Sequence, residues 1–419
     1  MGAFVIKGGK PLFGTVSVSS SKNAILPIIS ACLLTEEECV IKNIPGLDDV
    51  SVMCELVSSL GSKVEANIRA RELYIGTKEL KGHTAPYELV TRMRASFLVL
   101  GPLLARAGIA KVALPGGCPI GSRPVDLHLK GFEAMGAEIV NGHGYIEART
   151  GTGKLKGSRI YLDFPSVGAT ENLLIGAVLA EGQTIIENAA SEPEIIDLAI
   201  FLNKMGADIR DAGTDSITIN GVSRVHGAEH AIMPDRIEAG TLMTAAAITG
   251  GDVTLKNVVP EHLTPVTAKL REAGIEVLES LSEIRIRGMR KPEPLDIKTH
   301  PFPGFPTDMQ AQFAALLSNA TGTSIIVETI FENRFMHVNE LKRMGARIRL
   351  DARTAIIEGT PYLQGAQVKA TDLRAGAALI LAGLAAQGTT EVLDIQHIDR
   401  GYEFIENKLQ RLGADIKRE

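Results

Sequence analysis

The chain has 419 residues, 45% of them hydrophobic, with 44 basic against 49 acidic side chains and a net charge of -5. That length and apolar content suffice for two ordinary cores, and the weakly acidic balance argues against a protein that coats nucleic acid. Cys32, Cys39, Cys54 and Cys118 show no Cys-x-x-Cys spacing, so neither a disulfide framework nor a metal site is expected. The opening Met1-Gly2-Ala3-Phe4-Val5-Ile6 carries no signal-peptide pattern, which makes the cytoplasm the expected compartment. Phe4–Gly8 and Leu12–Val16 read as short strands, followed by Ser19–Ser21 and a polar pair, Lys22-Asn23, at the start of a helix rich in small residues.

From there one pattern recurs. A helix ends in a glycine and a short strand follows at Leu60-Gly61, Met135-Gly136, Met205-Gly206, Ala273-Gly274, Met344-Gly345 and Leu412-Gly413. A period of about seventy residues through the whole chain predicts six copies of one unit. Each copy reads as an apolar helix, a strand, an amphipathic helix closed by the glycine, and two further strands. In the third copy Leu198, Phe201, Leu202 and Met205 share one helical face. Ala375–Ala386 carries no charge on any side and Gly240–Ile248 is similar, the signature of helices buried all round. Both fall short of the roughly 20 residues that cross a bilayer, so no membrane span is expected and sheets must cover them.

The sixth copy runs out of chain after Ile416, before its closing strands. The N-terminal pair Phe4–Gly8 and Leu12–Val16 matches the closing strands of the fifth copy, Ala355–Gly359 and Leu363–Val368, and is expected to complete the sixth. The fold class is then α/β (α+β), with two lobes of three units: residues 22–230, and residues 1–21 plus 231–419. Two chain crossings, near Ser19–Ser21 and Gly227–Pro234, suggest a hinged cleft. His226 and His230, spaced like metal ligands, are expected in a solvated turn of the second crossing. Gly151-Thr152-Gly153-Lys154 and Gly142-His143-Gly144 lack the spacing of a phosphate loop or dinucleotide turn, so no cofactor is expected.

Polar residues gather at the start of the apolar helices: Lys22-Asn23, Arg94, Asp235-Arg236, Asp308 and Asp372-Leu373-Arg374. Helix capping explains Asp235 and Asp372. It does not explain Lys22, Arg94 or Arg374, because cations there oppose the helix dipole unless an anion sits between them. A second equivalent position holds Arg123, Arg334 and Arg400. The loop reaching this position is longest in the second copy, where glycines and prolines surround Cys118. A thiol on a glycine-hinged loop beside an arginine reads as reactive.

These stretches carry a resemblance. Lys22-Asn23, Pro115-Gly116-Gly117-Cys118, Arg123-Pro124-Val125-Asp126-Leu127-His128, Phe305-Pro306-Thr307-Asp308-Met309-Gln310, Glu332-Asn333-Arg334-Phe335 and His397-Ile398-Asp399-Arg400-Gly401-Tyr402 together resemble the UDP-N-acetylglucosamine 1-carboxyvinyltransferase family, from end to end. The resemblance implies two inside-out α/β barrel domains with buried helices and outer sheets. It also implies transfer of enolpyruvyl from phosphoenolpyruvate to the sugar 3′-hydroxyl with loss of phosphate, the first committed step of peptidoglycan synthesis. Lys22, Arg123 and Arg400, with Asn23 beside them, match the cations that hold phosphoenolpyruvate. Arg94, Arg123, Pro124, Val125, Asp126, Leu127, Ser166, Val167, Gly168, Asp308 and Ile330 match the sugar-nucleotide contacts, and Arg334, Asp372 and Arg374 other active-site positions. Some members have a lysine just before the Ser166-Val167-Gly168 stretch, where this chain has Phe164-Pro165, so the resemblance leaves a diphosphate contact there open, with the Pro165 backbone as the alternative contact.

The implied catalytic set is Cys118, Asp308, Lys22 and Arg400. Enol ether formation needs an acid to protonate the methylene carbon, a role that fits Cys118, and a base for the sugar hydroxyl, a role that fits Asp308. No metal or organic cofactor enters this chemistry. Fosfomycin, an epoxide phosphonate, is expected to alkylate Cys118. The alternatives are transfer to shikimate 3-phosphate and a non-catalytic paralogue that binds the sugar nucleotide and regulates a partner.

Overall fold

The computed structural model describes residues 2–114, 125–142, 144–151, 153–289 and 291–419. Cys118, Arg123 and Pro124 lie outside them. The described chain forms two compact units, one of residues 20–114 and 125–233, the other of residues 2–19 and 234–419.

The recurring glycine has one physical cause in all six copies. Gly61, Gly136, Gly206, Gly274, Gly345 and Gly413 all have positive φ, between 82° and 117°. Each follows an outer helix whose last carbonyls are taken up by the turn: Gly206 donates to Asn203 and Ala207 to Leu202, as Gly345 does to Lys342 and Ala346 to Leu341. The left-handed residue is what lets the chain reverse and satisfy those carbonyls, and only glycine adopts it without strain. The strand after it then folds back beneath its own helix.

In the first unit the helices Lys22–Ala31, Leu100–Ala107 and Val167–Ala177 form the interior. Asp48–Ser59, Asp126–Ala134 and Pro193–Lys204 are the helices that the glycines close. Among the described residues three sheets surround this core. In the first sheet Glu38–Lys42 pairs antiparallel with Glu72–Gly76 and parallel with Glu229–Ala231. Residues of each strand alternate between buried and partly exposed, as expected of a sheet with one face on the core and the other in water. The second sheet has three strands, and a single parallel bridge from Thr84 to Lys111 stands where its sister sheets have a fourth.

The second unit repeats this plan with the interior helices Arg236–Thr249, Gln310–Leu317 and Leu373–Ala385. The N-terminal segment is divided between two of its sheets. Ala3–Lys7 lies antiparallel between Thr389–Leu393 and Asp415–Arg418, completing the sixth sheet. Phe13–Ser17 does not accompany it and instead pairs in parallel with Asp252–Lys256 in the fourth. Gln367–Lys369, read as closing the fifth copy, is likewise the parallel edge of the sixth. Arg159–Tyr161, Asp296–Lys298 and Gln367–Lys369 each enter an interior helix and pair in parallel with the strand that leaves it. At the two chain crossings the partners are exchanged: Phe13–Ser17, which leads to Lys22–Ala31, pairs with the strand after Arg236–Thr249, and Glu229–Ala231, which leads to Arg236–Thr249, pairs with the strand after Lys22–Ala31. No helix among the described residues is long and apolar enough to cross a membrane.

His230 corrects the expectation of a solvated turn. It sits on the strand Glu229–Ala231, is 3% exposed, and bonds through Nε2 to Asp197 Oδ1 at 3.0 Å, while His226 nearby is exposed.

Candidate active site

In the second unit the centre of the site is Asp308. The tight turn Thr307–Met309 delivers it to the start of the interior helix Gln310–Leu317. Arg334 Nη2 donates to Asp308 Oδ1 at 2.8 Å, and Arg374 donates to Oδ2 from Nη2 at 2.8 Å and from Nε at 3.2 Å. Both arginine side chains are almost fully buried, at 5% and 4% exposure, whereas the carboxylate keeps 25%. Burial alone would raise the Asp308 pKa, but Arg374 and Arg334 outweigh it and hold the group well below the ordinary carboxylate range.

Arg374 is fixed from several sides. Its neighbour Asp372 caps the helix Leu373–Ala385 by accepting from the Arg374 and Ala375 amides at 2.9 and 3.0 Å. Its Nη1 donates to the Tyr402 hydroxyl at 3.2 Å, and its guanidinium lies 5.5 Å from the centroid of that ring. Thr241 Oγ1 is 3.0 Å from the same hydroxyl, and Gln312 Nε2 donates to Thr241 Oγ1 and to the Asp308 carbonyl. Arg334 packs 5.4 Å from the Phe331 ring centroid. Ile330 sits in the loop just before, its amide donating to the buried carboxylate of Glu328 at 2.8 Å. Arg400 follows the short helix Gln396–Asp399, two positions ahead of Tyr402.

In the first unit Ser21 caps the helix Lys22–Ala31, and Lys22 forms a buried ion pair with Asp49 at 2.6 Å. Asn23, beside it, is partly exposed. Arg94 opens the turn Arg94–Val99 that leads into Leu100–Ala107. Val125 is buried just before the helix Asp126–Ala134, Asp126 is exposed in its first turn, and Leu127 packs on the core. Ser166 caps Val167–Ala177, accepting from the Ala169 amide at 3.4 Å.

His128 joins these pieces. A methyl group added to Gly168 would stand 3.4 Å from His128 Cε1, so the ring lies directly against the Ser166-Val167-Gly168 turn. Asn172 Nδ2 donates to His128 Nδ1 at 3.0 Å, which leaves the ring proton on Nε2. Burial, followed by the charge of Arg94, pushes the His128 pKa down to about 3, so the ring is neutral. The structure therefore gathers Asp308, Arg334, Arg374 and Asp372 in one unit, and Arg94, Leu127, Ser166 and Gly168 around His128 in the other. Asp49, Tyr402, Gln312 and Glu328 received no role from the sequence. Only Tyr402 left a signal there, inside the His397–Tyr402 motif; Asp49, Gln312 and Glu328 lie outside the motifs.

The sequence profile of the family described as EPSP synthase (3-phosphoshikimate 1-carboxyvinyltransferase) matches residues 6–409. UDP-N-acetylglucosamine 1-carboxyvinyltransferase 1 of Caldanaerobacter subterraneus subsp. tengcongensis is 57% identical over 415 residues, which cover 99% of each chain. UDP-N-acetylglucosamine 1-carboxyvinyltransferase 2 of Carboxydothermus hydrogenoformans is 58% identical over 420 residues, covering 100% of this chain and 99% of that one. This chain belongs to the UDP-N-acetylglucosamine 1-carboxyvinyltransferase family of enolpyruvyl transferases. Among solved structures, the enolpyruvyl transferase NikO from Streptomyces tendae superposes with a TM-score of 0.89 at 25% identity, covering 100% of this chain and 98% of that one. An EPSP synthase from Acinetobacter baumannii shares the fold, with a TM-score of 0.77 at 19% identity and complete coverage of both chains. The enolpyruvyl transferases are thus the family in which the inside-out arrangement of interior helices and outer sheets is placed.

Proposed function

We propose that this chain transfers the enolpyruvyl group of phosphoenolpyruvate to the 3′-hydroxyl of UDP-N-acetylglucosamine and releases phosphate, the first committed step of peptidoglycan synthesis. The observation that carries this reading is identity of 57% and 58%, over essentially the whole chain, to two enzymes named for that transfer. Transfer to shikimate 3-phosphate is the weaker reading, because the EPSP synthase of similar fold is only 19% identical. Phosphate release from phosphoenolpyruvate, measured with each acceptor in turn, tests the choice. Release with shikimate 3-phosphate and none with UDP-N-acetylglucosamine would reverse it.

In this mechanism Cys118 protonates the methylene carbon while the sugar oxygen attacks the adjacent carbon, giving a tetrahedral adduct. Loss of a methyl proton and departure of phosphate then restore the double bond. Lys22, Arg123 and Arg400 hold the carboxylate and phosphate of phosphoenolpyruvate and balance the charge that leaves with phosphate. Arg94, the run Arg123–Leu127, Ser166–Gly168 and Ile330 hold the sugar nucleotide. Asp308 takes the proton of the sugar hydroxyl. Paired to two guanidiniums it is a weak base, and a substrate anion that draws Arg334 or Arg374 away strengthens it at the moment of reaction. Fosfomycin, by presenting a phosphonate to the same cations, is opened by the Cys118 thiolate to a covalent thioether. The cytoplasm is the compartment proposed for this reaction.

A further inference from the structure

The residue that leaves each sheet's second strand occupies an equivalent place in all six copies, and its occupants are Asn43, Leu114, Asn188, Asn257, Glu328 and Asp394. Asn43, Asn188, Asn257 and Asp394 adopt left-handed backbone, with φ between 52° and 61°. Asn188 Nδ2 donates to the Leu162 carbonyl at 2.6 Å and Asn257 Nδ2 to that of Val18 at 2.9 Å, in each case tying the exit of one parallel strand to the other. This is an architectural clasp: a short side chain beside its own backbone, where asparagine tolerates positive φ.

Glu328 departs from the clasp in conformation and in bonding. Its backbone is not among the positive-φ residues, and its side chain accepts where the asparagines donate. Glu328 is 1% exposed. Oε1 accepts from Thr299 Oγ1 at 3.0 Å, from the Ile330 amide at 2.8 Å and from the Phe331 amide at 3.2 Å; Oε2 accepts from Thr307 Oγ1 at 2.8 Å. These four donors are uncharged. The carboxylate therefore stands between two loops of the site: Thr307 directly precedes Asp308, and Ile330 and Phe331 lead to Arg334, whose guanidinium stacks on Phe331.

We infer that Glu328 is a positioning residue that sets the acceptor sugar's half of the site, by holding the Thr307-Asp308 turn and the Ile330–Arg334 loop at a fixed separation. The inference rests on the proposed transfer to UDP-N-acetylglucosamine. A charged acceptor makes hydrogen bonds roughly twice as strong as a neutral one, and four donors left without it would each have to find another partner or move. Displacement of Asp308 and Ile330 by a fraction of an ångström is enough to spoil alignment of the sugar hydroxyl.

The test is steady-state kinetics of the full chain with Glu328→Ala, Glu328→Gln and Thr307→Val, well below each variant's melting temperature. Glu328→Ala is expected to raise KM for UDP-N-acetylglucosamine and lower kcat, each by about tenfold, with KM for phosphoenolpyruvate changed by less than about threefold. Glu328→Gln, which keeps an oxygen towards Ile330 and Phe331, should recover most of the loss. Thr307→Val should cost several-fold alone and little in the Glu328→Ala background, because both remove the same link. A residue with only a structural role would lower the melting temperature while leaving these constants in place. That outcome, or additive Thr307 and Glu328 effects, overturns the inference. Where Glu328→Ala fails to fold, unchanged constants in Thr307→Val overturn it. A parent protein that releases phosphate only with another acceptor sinks the functional reading instead, and the two failures are told apart by the parent's own activity.

Discussion

Asp308 shows what one carboxylate does between two buried guanidiniums. Replacing it with alanine removes the proposed proton acceptor and leaves Arg334 and Arg374 buried beside a void. Loss of a general base costs about 10²–10⁴ in turnover, and breaking a buried pair costs about 3–5 kcal/mol. Asp308→Ala is therefore expected to lose turnover by orders of magnitude and to unfold at clearly lower denaturant, while still binding the nucleotide measurably. Near-normal turnover would remove Asp308 from the chemistry. The cysteines give the second prediction at this scale. Burial raises the Cys32 thiol well above its ordinary value and pushes Cys54 up to about 12, while Cys39 is fully buried on its strand. Peptide mapping after fosfomycin treatment is expected to find the adduct on Cys118 alone, and faster with UDP-N-acetylglucosamine present. Adducts spread over all four cysteines would refute the assignment.

At the scale of elements, the interior helices meet so closely that a methyl group decides the packing. A Cβ on Gly101 would stand 2.5 Å from the Asn172 carbonyl oxygen and 2.6 Å from its Oδ1, which already accepts from the Gly101 amide at 2.8 Å. Overpacking of this kind costs about 1–3 kcal/mol. Gly101→Ala should lower stability by that amount and, by shifting Asn172 and the His128 it holds, raise KM for the sugar nucleotide. A variant with parental stability and kinetics would show that the two helices slide freely. This scale is also where the sequence was most legible. The six glycines are visible because one turn demands them, and the apolar helices because no side of them meets water. The parallel edge strands were misplaced because a strand of three to five residues carries no mark of the sheet that receives it. His230 misled for a similar reason: its burial comes from Asp197, on the helix Pro193–Lys204, which spacing along the crossing segment does not reveal. Asp308, Arg334 and Arg374 were legible as polar residues at repeated positions. Glu328 was not, because its meaning lies in four donors drawn from three separate segments.

At the scale of the whole molecule, each unit keeps a neutral histidine in its interior. Burial pushes His128 down to about 3, with Arg94 adding to it, and pushes His337 down to about 4, with Asp372 opposing and Arg334 assisting. In the unfolded chain both rings titrate near their ordinary value of about 6.5. The folded pKa is the lower one, so below about pH 6.5 the unfolded state binds more protons than the folded state and stability falls with pH. That loss continues until the folded rings themselves protonate, near the values given for each, and levels off beneath them. Asp308 acts in the same direction but lower: its depressed pKa stabilises the fold above the unfolded carboxylate value of about 3.9, and that contribution drains away as pH falls further. Between pH 6.5 and 4 the two histidines therefore lower stability as pH falls, buried Glu171 and Glu238, whose pKa values burial raises, act against them, and Asp308 matters only below. From pH 6.5 to 4 the denaturant midpoint is expected to shift further towards lower stability in the parent protein than in a variant carrying both His128→Gln and His337→Gln, whatever the variant's stability at pH 7. Because the comparison is of slopes, a general loss of packing in the variant does not imitate the result. An equal slope in parent and variant would mean that both rings titrate in the fold as they do in water.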